Sequence, residues 1–135
     1  MGLLERREIK RVEEEVYPRL KQRVDDAAGF DVPIEVNWPS LAFDDYSQSY
    51  EEGITKIFFE PLEAALKNIA IDQMGKDALK DGLKKVSISG SDAFSLSWSD
   101  LFRDGALTLS HSPVTNMHDT AGRTAAIEKA LNKGL

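Results

Sequence analysis

The sequence contains no cysteine. Disulfides, zinc–thiolate sites, iron–sulfur clusters and cysteine nucleophiles are therefore excluded. Long apolar runs are missing as well. No window approaches the roughly 18 apolar residues of a membrane span, and the opening Met1-Gly2-Leu3-Leu4-Glu5-Arg6-Arg7-Glu8 has no apolar stretch of signal-peptide length. Arg6 stands where a myristoylation signal wants Ser or Thr. The expectation is a cytoplasmic chain without a membrane association. There is no phosphate-binding glycine loop, no dinucleotide fingerprint, no His-Glu-x-x-His and no Gly-x-Ser-x-Gly elbow. Neither a cofactor nor a resident metal is expected.

What is present describes an ordinary globular domain. The chain has 135 residues, 41% of them hydrophobic and 30% charged. That composition argues against disorder. At this size the folded chain should expose about 7,000 Å² against roughly 22,000 Å² unfolded, enough burial for a core without disulfides or metal. No repeat, low-complexity tract or linker divides it, so residues 1–135 read as a single domain.

The net charge of −6 is concentrated. Residues 31–77 carry ten acids against three bases, whereas the flanking segments are nearly balanced. Such a chain repels phosphate backbones, which disfavours nucleic acid, and favours a protein partner with a basic surface.

Hydrophobic periodicity sets the elements. Leu4, Ile9, Val12, Val16, Leu20 and Val24 fall on one face of a helix over residues 3–28, which Pro18 should kink or split and Gly29 should stop. Ile34, Val36 and Trp38 alternate with polar residues, as in a strand over 33–38. Ser49 to Glu52 matches a capping box before a helix bearing Ile54, Ile57, Phe58, Leu62, Ala65, Leu66 and Ile69, with a kink predicted near 57–60 ahead of Pro61. Asp72 is positioned to cap a short helix through Leu83. Then the period changes to two. Val86 and Ile88, then Phe94, Leu96 and Trp98, then Leu107 and Leu109 alternate with Ser and Thr, which predicts three strands of an antiparallel meander. Asp119 or Thr120 should cap a final helix through about Asn132. The fold class is therefore α+β, in the order α-β-α-α-β-β-β-α. It has a three- to four-stranded antiparallel sheet with helices packed on one face. The serine-rich side of the sheet reads as a solvated face.

Two segments remain for function. Residues 30–63 hold seven of the eleven aromatics and eight acids against the single base Lys56. Aromatics beside carboxylates suit a cationic protein surface. Asp44, Asp45, Tyr46, Tyr50 and Glu51 are the candidate partner-binding residues, the first four expected to be exposed because they lie between regular elements. The second segment, 111–119, contains both histidines. His111, Asn116, His118 and Asp119 form an alternative polar site, for which a general base or a metal-assisted hydrolase is the matching chemistry. The spacing of the histidines fits no zinc motif. A third reading is a homo-oligomeric structural protein built through the first helix or an open sheet edge. The overall character, small, acidic and without a catalytic motif, is similar to many bacterial immunity and antitoxin-type proteins. No specific residues carry that likeness. The leading expectation is thus a protein-binding module without catalysis of its own.

Overall fold

The computed structural model describes residues 2–135. Helices α1 (Leu3–Arg11) and α2 (Tyr17–Ala28) are joined without a break by a π-helical turn, Val12–Val16. The reason is Pro18. Its ring excludes a regular turn ahead of it and it has no N–H to donate. The chain widens just before it, and the Tyr17 amide reaches back five residues to the Val12 carbonyl. The same device recurs. A π-helical turn, Thr55–Phe59, links α3 (Tyr50–Ile54) to α4 (Glu60–Ile69) ahead of Pro61, with the Glu60 amide on the Thr55 carbonyl. Both interruptions expected at prolines therefore exist, as widened turns within continuous helix. The second one brings three successive side chains, Ile57, Phe58 and Phe59, into the core, each about 1% exposed. In a regular α-helix three consecutive residues span about 200° and cannot all face inward.

Gly29 ends α2 at φ 85°, where a Cβ would be strained. Strand β1 (Ile34–Val36) follows, and a 3₁₀ turn, Trp38–Leu41, leads away from it. Helix α5 (Gln73–Gly82) starts at Asp72, whose carboxylate accepts the Gly75 amide at 2.8 Å, as the sequence predicts. The capping box at Ser49 is not formed. A 3₁₀ turn, Ser47–Ser49, precedes α3, and the Ser49 side chain makes no cap bond.

The sheet departs most from expectation. It is four-stranded and mixed, in the order β1-β2-β4-β3. Strands β1, β2 (Lys85–Gly90) and β4 (Ala106–His111) are mutually parallel, and β3 (Phe102–Arg103) pairs antiparallel with β4. The antiparallel meander is thereby corrected. Asp104 and Gly105, both at positive φ, close the β3–β4 hairpin, a pair of residues suited to a type I′ turn. Residues 94–98 form no strand. Because β2 and β4 lie side by side and parallel, the chain must return the length of the sheet between them, and residues 91–105 are consumed by that return. Phe94 is 64% exposed and Trp98 is capped by Lys129, whose Nζ sits 4.4 Å from the ring centre.

The predicted apolar face of the true strands holds. Val86, Ile88, Leu107 and Leu109 are buried in one core with the helices, while Glu35, Lys85, Ser87 and Thr108 line the wetter side. Tyr17 contacts both Trp38 and Phe59 edge-on, at 5.3 and 5.7 Å between ring centres, tying the end of β1 to the helical layer. Helix α6 (Thr120–Gly134) closes the fold with Ile127 and Leu131 buried. The accessible surface is 7206 Å², close to the scaling expectation. Among the described residues no helix is long and apolar enough to cross a membrane.

Candidate functional site

The segment between β1 and α3 is held at several points. The Ser40 hydroxyl donates to the Asn37 carbonyl at 2.6 Å and accepts the Gly90 amide at 2.8 Å, which docks the Trp38–Leu41 turn on the end of β2. A Cβ at Gly90 would overlap the Ser40 carbonyl oxygen, so that docking depends on glycine. Leu41 and Ala42 are buried beyond it. The chain then turns a corner at 43–47. Asp45 adopts φ 70°, a region Asp reaches more readily than most residues. The Phe43 carbonyl accepts both the Tyr46 amide, at 3.3 Å, and the Tyr50 hydroxyl, at 2.6 Å.

This geometry separates the candidate residues. Asp44, Asp45 and Tyr46 are exposed, with Tyr46 at 48%. Tyr50 is fully buried, contrary to expectation. It begins a helix, and its ring props the corner from below. Burial pushes its phenol up to about 12, reinforced by the carboxylates of Glu5, Asp44, Asp45 and Glu8. Those four acids come from two separate segments, α1 and the corner. Glu51 belongs to a different arrangement. Arg11 bonds Glu8 through two nitrogens, at 2.8 and 2.9 Å, and Glu51 at 2.7 Å, fastening α1 to α3. The paired guanidinium holds the Glu8 carboxyl below its usual range. An open depression of about 410 Å³ beside the corner is lined by Glu8, Arg11, Gln48, Glu51, Glu52, Thr55 and Lys56.

The second segment is arranged as a clasp. His111, at the end of β4, is fully buried, with its Nδ1 2.6 Å from the Ser112 carbonyl and its ring edge-on to Phe58 at 6.4 Å. His118 is exposed. The Asp119 carboxylate accepts the Gly122 amide at 3.2 Å and so caps α6. Asn116, at φ 54°, donates from Nδ2 to the Phe94 carbonyl at 2.9 Å, and the Ser112 amide donates to the Ala93 carbonyl at 2.7 Å. These bonds fasten the 91–101 crossover to the loop. No group of three or more His, Asp or Glu that could hold a metal occurs among the described residues.

Sequence reasoning missed Arg123. It is 3% exposed, and its Nη2 donates to the carbonyls of Thr115 and Asn116 while Nε and Nη1 have no partner. The signal was its spacing: Arg123 lies four and eight residues before Ile127 and Leu131, on their buried face.

Burial depresses the affinity of His111 for a proton. The Ser112 carbonyl partly offsets this, and the Arg123 charge adds to it. The unfolded chain, with a histidine near the usual 6.5, then binds more protons than the folded one at mildly acid pH. The stabilisation is complete above that value and is lost as pH falls through the lower folded value. Denaturant midpoints between about pH 7.5 and 5.5 should therefore fall more steeply for the native chain than for His111→Phe, whose shared carboxylates cancel in the comparison. Parallel slopes would show that His111 is not coupled to folding.

Comparison of the chain with protein-family models, with curated proteins and with solved structures returned no match.

Proposed function

We propose that the protein is a non-enzymatic binding module that engages a basic protein surface through the Asp44–Tyr46 corner, in the manner of a neutralising or regulatory protein. The observation that carries this reading is the corner itself. An aromatic ring stands about half exposed beside two exposed carboxylates, on a backbone fixed by an αL aspartate and a buried tyrosine. A rigid, amphipathic tyrosine is a suitable anchor, because little conformational entropy is lost when it binds. Surrounding carboxylates speed encounter with a cationic surface and reject acidic ones. Asp44 and Asp45 supply that field, whereas Tyr50 acts as support and Glu8 and Glu51 as the partners of Arg11.

The test is affinity capture from the native host using the whole chain and the Asp44→Ala/Asp45→Ala/Tyr46→Ala variant. The native chain should retain a basic protein at low salt, with retention falling as ionic strength passes about 0.15 M. The variant should lose it, with an unchanged circular dichroism spectrum. Equal recovery by both chains would sink this reading.

A further inference from the structure

The sheet has an open side at β1. In a parallel ladder, alternate residues turn both backbone groups to the same neighbour. The Val86 amide donates to the Pro33 carbonyl at 2.8 Å, and the Asn37 amide to the Ile88 carbonyl at 2.9 Å. Pro33, Glu35 and Asn37 therefore face β2, and Ile34 and Val36 turn their N–H and C=O groups to the open edge. Alongside this edge runs a groove of about 610 Å³. Ile9 of α1 and Val36, Trp38 and Pro39 give it apolar walls, and Arg6, Lys10 and Glu13 line it from α1. Arg6 pairs with no carboxylate among the described residues, and Lys10 meets Glu14 only loosely, at 3.8 Å, with both side chains well exposed. Two bases against one acid, Glu13, leave this rim a small local positive excess in a chain of net charge −6.

We propose that β1 and this groove receive an extended peptide. Its alternate residues are apolar, and on the same face it carries an Asp or Glu for Arg6 and Lys10. Three observations converge on that occupant. The outward groups of Ile34 and Val36 match an added strand. The side chains of Ile34 and Val36 both pack against the core, so an added strand extends the same apolar surface toward α1. The rim supplies charge complementarity. Pro33 and Pro39 bracket the strand and confine pairing to one short register. A second copy of the chain fits worse. Two-fold antiparallel pairing centred on β1 sets Glu35 opposite Glu35, and like charges directly opposed on neighbouring strands are destabilising.

The experiment selects displayed random peptides, about eight residues long, on the whole chain. The selected peptides should alternate apolar residues and carry Asp or Glu. Their synthetic forms should shift the amide resonances of Ile34 and Val36 and the Trp38 indole. Arg6→Glu/Lys10→Glu, at surface positions that leave the fold intact by circular dichroism, should weaken binding about tenfold. A peptide with its acid changed to lysine should regain affinity for that variant. Val36→Pro, which removes an outward donor, should weaken both peptides. Several results would overturn the proposal: no enrichment, binding that leaves those resonances unmoved, indifference to charge reversal, or concentration-dependent shifts of the same resonances with dimer formation in sedimentation.

Discussion

Phe58→Ala should cost the protein about 3–5 kcal/mol, the range for removing a fully buried phenylalanine. Its ring is 1% exposed and meets His111 edge-on at the end of β4, so the cavity would open between the helical layer and the sheet. The cost should lie toward the upper part of the range. The π-helical turn that delivers Phe58 is fixed by Pro61, which limits how far the backbone can collapse into the space. For a chain of this size a loss of about 4–5 kcal/mol corresponds to roughly 14–18 °C in Tm. Water reaching the cavity should also relieve the desolvation of His111, so its imidazole should titrate closer to the ordinary histidine range. Urea unfolding gives the first quantity and histidine proton NMR the second. A loss below about 1.5 kcal/mol, with the His111 titration unmoved, would mean that the turn repacks.

The helices were legible because a 3.6-residue stripe has one interpretation over a long window. The stripe through Ile9, Val12, Val16, Leu20 and Val24 passes Pro18 unbroken, and local chemistry at Gly29, Asp72 and Asp119 marks real ends. The sheet was legible only in its faces. Alternation tells which side of Val86 or Leu107 is buried, but it is the same whether the neighbouring strand runs parallel or antiparallel. Phe94, Leu96 and Trp98 alternate as a strand does, yet β4 occupies the place beside β2 that a meander would give them. For the acidic corner, composition located the residues but not their division of labour. Tyr46 and Tyr50 are equivalent by charge context and spacing. The 3₁₀ turn at Ser47–Ser49 and the start of α3 send one outward and the other under the Phe43 carbonyl. The β1 groove was illegible for a different reason. Its cationic rim comes from α1 and its floor from β1, elements that only tertiary packing brings together.

Gly53→Ala should destabilise the protein by about 2 kcal/mol or more, although the same change in an exposed helix is stabilising by up to about 1 kcal/mol. The reversal follows from what lies over the residue. Gly53 is buried in α3, and a Cβ built on it would overlap the Pro113 carbonyl oxygen and come within 3.4 Å of the Met117 methyl. The obstacle is backbone, so relief requires moving the loop or the helix. The loop is the side that yields, because its hold on the crossover consists of a few hydrogen bonds, including Ser112 to Ala93 and Asn116 to Phe94. Lifting it admits water beside Ser112, whose carbonyl His111 Nδ1 meets at 2.6 Å. The variant should therefore show faster hydrogen exchange at the Ser112 amide and a histidine that protonates at higher pH than in the native chain. Gly29→Ala provides the contrast. Its φ of 85° penalises a side chain by about 1 kcal/mol, but nothing stands within 4 Å of the new Cβ. Stability should fall less there, and neither the Ser112 amide nor His111 should respond. If Gly53→Ala instead raises the urea midpoint, the loop does not rest on α3, and the burial of His111 must have another source.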